Sequence, residues 1–200
     1  MFGFGSKYAK FWKWFQAHDD DVFHFERNRQ KVFEELAAQL RRVHSDLVFE
    51  FSSISEGRRE FTVSAGGIRA AFPEVTALVH EAPPLPHWEV IAFRQRKDVP
   101  KIRTGDKELD RDAVFFDYVP VDDKIDMTVF IPGMADASTQ DIVGLKTIGY
   151  LFLDAVIGEY DVETKIAGIE FVDAAAFPER RRTPLRELPD VVDKLPETVQ

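Results

Sequence analysis

The chain of 200 residues predicts an α+β fold: two strand-strand-helix-strand units after an N-terminal helical region, with a mixed or antiparallel sheet and the helices on one side. Two observations carry this. Apolar residues in the first 43 positions recur at helical spacing, whereas those from Leu47 onward alternate at strand spacing. The strand-strand-helix-strand pattern then occurs twice, starting near Leu47 and again near Ala113, 66 residues later. At that shift Phe49 falls on Phe115, Val63 on Val129, Gly67 on Gly133 and Pro73 on Thr139. The chain reads as a single domain over 1–200, internally repeated, with a first unit at 47–93, a linker at 94–112, a second unit at 113–173 and a tail at 174–200.

Each element has its own justification. Ser6 is placed to cap a short helix with Tyr8, Phe11, Trp12 and Phe15 on one face. Lys7, Lys10 and Lys13 fall off that stripe, an arrangement a membrane-surface helix shares, although a helix packed on the domain is the simpler reading. Asp19, Asp20 and Asp21 precede a longer helix at about 22–43, with Phe25, Val32, Phe33, Leu36, Leu40 and Val43 on its apolar stripe. The acidic start and the Arg41, Arg42 and His44 end suit the helix dipole.

In the first unit, Leu47, Phe49 and Phe51 alternate with polar or smaller residues, as do Phe61, Val63 and Ala65, around a turn at Glu56-Gly57. Pro73 suits the first turn of a short helix, and Pro83, Pro84 and Pro86 end it. Trp88 to Phe93 is apolar on both faces apart from Glu89, the pattern of an internal strand. The mixed-charge stretch 94–112 reads as a solvated loop or hairpin.

In the second unit, Ala113 to Val119 and Ile125 to Ile131 are strands around a turn at Asp122-Asp123. Ser138 caps a helix lined by Ile142, Leu145, Ile148, Leu151 and Phe152. Gly149 inside that helix costs about 1 kcal/mol relative to alanine, a cost that a close helix-sheet approach would explain. Gly158 ends the helix, and Ile166 to Val172 is the last strand. The segment beyond Ala174 reads as an extended tail ending in a short helix.

Composition narrows the function classes. Eighteen Phe against three Trp and four Tyr point to core packing, because Phe needs no hydrogen-bond partner. The chain has no cysteine, which excludes disulfides, thiolate catalysis and thiolate metal sites and fits a reducing cytoplasm. A net charge of -9 argues against binding to nucleic acid. No apolar run approaches the roughly 18 residues of a membrane span, so no membrane partner is expected.

Several clusters hold reactive residue types. His18, Asp19, Asp20, Asp21 and His24 are metal-ligand types, but the two histidines do not share a helix face, so the cluster reads as a helix start and no metal site is assigned. His80, Glu81, His87 and Glu89 flank a proline-rich turn and read as surface groups. Asp117, Asp122, Asp123 and Asp126 surround the second hairpin; Asp117 stands out because the shift sets it opposite Phe51, placing it on a solvated face or in a functional pocket. Arg180 to Arg182 read as a solvated charged turn. No G-x-S-x-G elbow, Walker loop or dinucleotide fingerprint is present, and no cofactor is expected. The segment joining the long helix to the last strand carries Glu159, Tyr160, Asp161, Glu163 and Lys165. With Asp117 these are the binding candidates, and the segment reads as a loop.

The aromatic start Phe11-Trp12-Lys13-Trp14-Phe15, the stretch from Ala82-Pro83 through Trp88 to Arg94, and Gly158 to Lys165 continuing through Ile169-Glu170-Phe171 together resemble a family of uncharacterised bacterial proteins of about this length. The resemblance implies a cytoplasmic bacterial origin and transfers no catalytic residue.

The expected function is a non-enzymatic cytoplasmic binding or regulatory protein acting through an acidic surface on a protein partner, for instance an immunity protein neutralising a basic toxin. The alternative is a small hydrolase or transferase using Glu159, Asp161, Glu163 or Asp117 as acid and base. It requires a deep pocket holding two of these carboxylates about 5–9 Å apart. A homodimer through sheet edges or the aromatic helix is a further possibility.

Overall fold

The computed structural model describes residues 5–196 and has an α+β architecture. The chain divides into two compact units, Met1–Arg94 and Gln95–Gln200. Among the described residues no helix is long and apolar enough to cross a membrane.

The first unit opens with α1 (Lys7–Ala17), α2 (Asp19–Phe23) and α3 (Arg29–Val43). Ser6 caps α1 by accepting the Ala9 N–H at 3.0 Å. The single helix expected over 22–43 is interrupted: a one-turn 3-10 segment, Phe25–Asn28, separates α2 from α3. Arg59 accounts for the break. Its Nη1 donates to the Phe23 carbonyl at 2.7 Å. The Arg27 N–H, which a continuous helix would direct to that carbonyl, bonds to His24 instead. Arg59 is buried, ion-paired to Glu26, and lies 4.4 Å from the centre of the Phe25 ring.

There follow β1 (Val48–Phe51), β2 (Arg59–Ser64), α4 (Phe72–His80) and β3 (Trp88–Ala92), in sheet order β1-β2-β3. The hairpin is antiparallel, and α4 crosses over to make β3 parallel to β2. Phe49, Phe51 and Phe61 share the face on which the helices pack: Phe33 of α3 meets Phe49, and Phe11 and Phe15 of α1 stack on Phe61. The internal strand is β2, buried along nearly its whole length, whereas β3 pairs only with β2. The apolar run Trp88 to Phe93 therefore belongs to an edge strand, its indole held by Asp19 at 2.6 Å.

The second unit begins with a hairpin, β4 (Lys101–Thr104) and β5 (Lys107–Asp110), inside the stretch expected to link the units. Next come β6 (Phe115–Val121), β7 (Lys124–Ile131), α5 (Thr139–Ile157), α6 (Glu159–Lys165), β8 (Ile166–Asp173), the two-residue β9 (Thr183–Pro184) and α7 (Leu188–Val192). The sheet order is β8-β7-β6-β9. As in the first unit, an antiparallel hairpin is followed by a helix and a parallel strand. Gly67 and Gly133 both take positive φ, 79° and 82°, where the chain leaves the middle strand for its helix.

One face of this sheet packs on α5 through Phe116, Met127, Val129, Ile131 and Phe171. The expected strand alternation is displaced by one residue in β6. Phe116 is wholly buried and pairs with Val129, while Phe115 points to the other face. A one-residue offset reverses every side chain of a strand, so Asp117 lies on the outer face with Phe115 and does not occupy the core position that Phe51 suggested. The close helix-sheet approach at Gly149 is present: a Cβ there would stand 2.9 Å from Ile131 Cδ1 and closer still to the Phe171 ring.

Candidate binding site on the second sheet

The face of the second sheet opposite α5 is partly open. Paired residues across β6, β7 and β8 project together, giving three rows: Phe115–Phe130–Val172, Asp117–Thr128–Glu170 and Val119–Asp126–Gly168. The segment after β8 covers the first row. It is anchored by Asp173, whose carboxylate accepts N–H bonds from Ala135 at 2.8 Å and Ala175 at 2.7 Å. Those backbone bonds hold the Asp173 carboxyl below the usual carboxylate range. Arg182 donates to the carbonyls of Ala174 and Ala176 and sits 4.9 Å from the centre of the Phe130 ring.

The other two rows line a concavity of about 540 Å³, with Asp117, Val119, Asp126, Thr128, Glu170 and Arg180 around it. Arg180 crosses its rim, donating to Thr128 Oγ1 at 3.0 Å and lying over the Phe177 ring. Asp117 Oδ1 accepts its neighbour Tyr118's N–H at 2.9 Å. Asp126 and Glu170 make neither ion pair nor hydrogen bond among the described residues. The Asp126 carboxylate fits because its neighbour in β8 is a glycine: a Cβ on Gly168 would stand 2.6 Å from Asp126 Oδ1.

The charge distribution accentuates this face. Residues 1–94 hold 12 basic and 13 acidic side chains, whereas residues 95–200 hold 14 and 22. Nearly all of the chain's net negative charge, -8 of -9, therefore belongs to the unit that carries the open acidic face.

The remaining candidates lie elsewhere. The segment expected as a loop forms α6, and none of its residues lines the concavity. Glu159 is fully buried at its first position, and Tyr160 is half-buried, its carbonyl accepting from Thr164 Oγ1. Asp161 is bonded to Arg96 at 2.8 Å and faces Lys165 at 3.6 Å. Glu163 is half-buried, and Lys165 ends the helix. Arg96 also grips Asp193 just beyond α7, which lowers the Asp193 pKa and raises that of the arginine. This constellation ties α6 to the C-terminal helix.

In the first unit, His18 stacks on Trp14 and contacts its carbonyl, while Asp20 pairs with Arg27. No group of three or more potential metal ligands occurs among the described residues. The sequence singles out Asp117 and Asp126 and suggests a solvated turn at Arg180, but it does not single out Glu170 and Gly168. The signal for these last two was present in the alternation Gly168, Glu170 against Ile169, Phe171 along β8.

The chain matches no protein family, curated protein or solved structure among those compared with it.

Proposed function

We propose that the protein is a non-enzymatic binding protein that uses the outer face of its second sheet to take a basic segment of a protein partner. The supporting observation is the open concavity in which Asp117, Asp126 and Glu170 gather without an ion-paired cation. Converging carboxylates on a rigid sheet favour guanidinium and ammonium groups and steer a basic partner by long-range attraction. An immunity-like role, masking a basic toxin, is one concrete form of this activity.

The geometry gives less support to carboxylate catalysis. Asp117 and Glu170 lie two strands apart, about 10 Å between backbones, and the acidic residues of α6 are buried, half-buried or ion-paired.

The test is binding of a fluorescent nona-arginine peptide to the full chain at 50 and 200 mM salt, with wild type compared against D117N/E170Q. Saturable binding that weakens with salt and drops about tenfold or more in the double variant supports the reading, since each lost charge contact is worth about tenfold in affinity. Binding that is absent, or equal in both proteins, overturns it.

A further inference from the structure

A second concavity, of about 260 Å³, lies entirely within the second unit and is lined chiefly by cationic side chains. Four cations surround it: Arg96 and Lys97 after the first unit ends, Arg111 after β5, and Arg186 before α7. Ala155 and Val156 of α5 also line it, and the Lys97 N–H is bonded to the Ala155 carbonyl at 2.7 Å. The lining therefore holds four cations and one acid, Asp98, among the described residues, while Asp112, Asp161 and Asp193 pair with the arginines from outside it.

The arginines are positioned by carboxylates. Arg96 is held by Asp161 and Asp193 and by the Ile157 carbonyl, Arg111 is paired with Asp98, and Arg186 reaches Asp112 at 3.3 Å. Among the described residues that line the concavity Asp98 is the one acid, and it is highly exposed, so solvent screens it strongly. Arg111 adds an independent observation. Its Nε is buried and has no hydrogen-bond acceptor; Asp112 Oδ1 lies 3.8 Å away. A buried guanidinium N–H without a partner is costly, and Arg111 is held in place at that cost beside the concavity.

We infer that this pocket binds a small oxyanion, either phosphate or a phosphomonoester. Guanidinium groups present paired N–H donors that match phosphate oxygens, and arginines already held in place lose little freedom on binding. The volume falls below the roughly 300–1,000 Å³ of pockets for drug-sized ligands, which suits an anionic headgroup with a short organic body. This inference does not depend on the acidic face.

The test is a titration of the ¹⁵N-labelled full chain with inorganic phosphate, chloride being exchanged to hold ionic strength constant. The expected result is saturable shifts at Lys97, Val156 and Arg186 amides and at the Arg111 Nε–H. Arg186→Gln weakens phosphate about tenfold, whereas Arg103→Gln, in the exposed β4–β5 hairpin, leaves it unchanged. Phenyl phosphate binding more tightly than phosphate identifies a phosphomonoester, and the reverse order identifies the free ion. Shifts that grow linearly without saturation, or an Arg186→Gln protein that responds like wild type, would overturn the proposal.

Discussion

Oδ1 of Asp126 occupies the space in which a side chain at Gly168 would begin, 2.6 Å from the position of its Cβ. The two residues are paired across β7 and β8, so the bare backbone of one strand seats the carboxylate of the next. Glycine in a strand interior costs conformational entropy, and here that cost coincides with the acidic concavity.

Gly168→Ala displaces the Asp126 carboxylate and weakens nona-arginine binding. Because only the end of a short, exposed side chain must move, stability changes by less than about 1 kcal/mol. Asp126→Ala removes the obstacle, so adding Gly168→Ala to it leaves stability unchanged or slightly higher. Urea denaturation and peptide binding of the three variants check both statements.

Gly149→Ala gives the opposite balance. Alanine gains about 1 kcal/mol in helix propensity. The new methyl, however, meets the Phe171 ring and Ile131 in a packed core, where neither neighbour can withdraw freely. Overpacking of this kind costs about 1–3 kcal/mol, so net of the helix gain the variant is less stable by up to about 2 kcal/mol. Thermal denaturation reads the effect as a lower Tm.

Asp173 predicts an acid-sensitive contribution to stability. Its folded-state pKa is lowered, chiefly by N–H bonds from Ala175 and Ala135. The stabilisation is complete above the unfolded value of about 3.9 and is lost as pH falls through the folded value. Asp173→Asn therefore destabilises the protein by about 1 kcal/mol at pH 7, and its deficit shrinks as pH falls below about 4. Urea denaturation of both proteins at pH 7 and pH 3 checks the sign.

Arg59→Lys separates charge from shape. Lysine keeps the charge but cannot bond Phe23 and Glu26 together while lying over the Phe25 ring. We expect a loss of about 2 kcal/mol, from a charge-assisted hydrogen bond and a cation–π contact. Chemical denaturation measures it; unchanged stability would show that the charge alone matters.

Much of the fold is legible in the sequence. The strand alternation, the Ser138 start and the Gly158 end of the long helix are local signals, and local sterics and capping produce them. The failures occur where distant residues compete. The break between α2 and α3 depends on Arg59, 36 residues away from Phe23, taking a carbonyl that helix propensity assigns to the helix. The β6 register depends on its pairing with β7, because the apolar run that leads into it, Val114, Phe115 and Phe116, does not alternate. The candidate site was half legible: Asp117 stood out as a charge in an apolar strand, but Glu170 and Arg180 gain significance only beside Thr128.

By itself, the sequence determined the α+β class, the two strand-strand-helix-strand passages, the absence of thiol chemistry and the acidic character. These follow from composition and from periodicities of two and 3.6 residues, which each segment carries within itself. The tertiary structure decided which strand is central, which way Asp117 faces, that Glu159 to Lys165 is a helix, where the acids of the outer face gather and, separately, where the arginines cluster. Those outcomes depend on pairing register and on contacts between residues tens of positions apart, and no local pattern encodes which carbonyl or carboxylate a distant arginine will take.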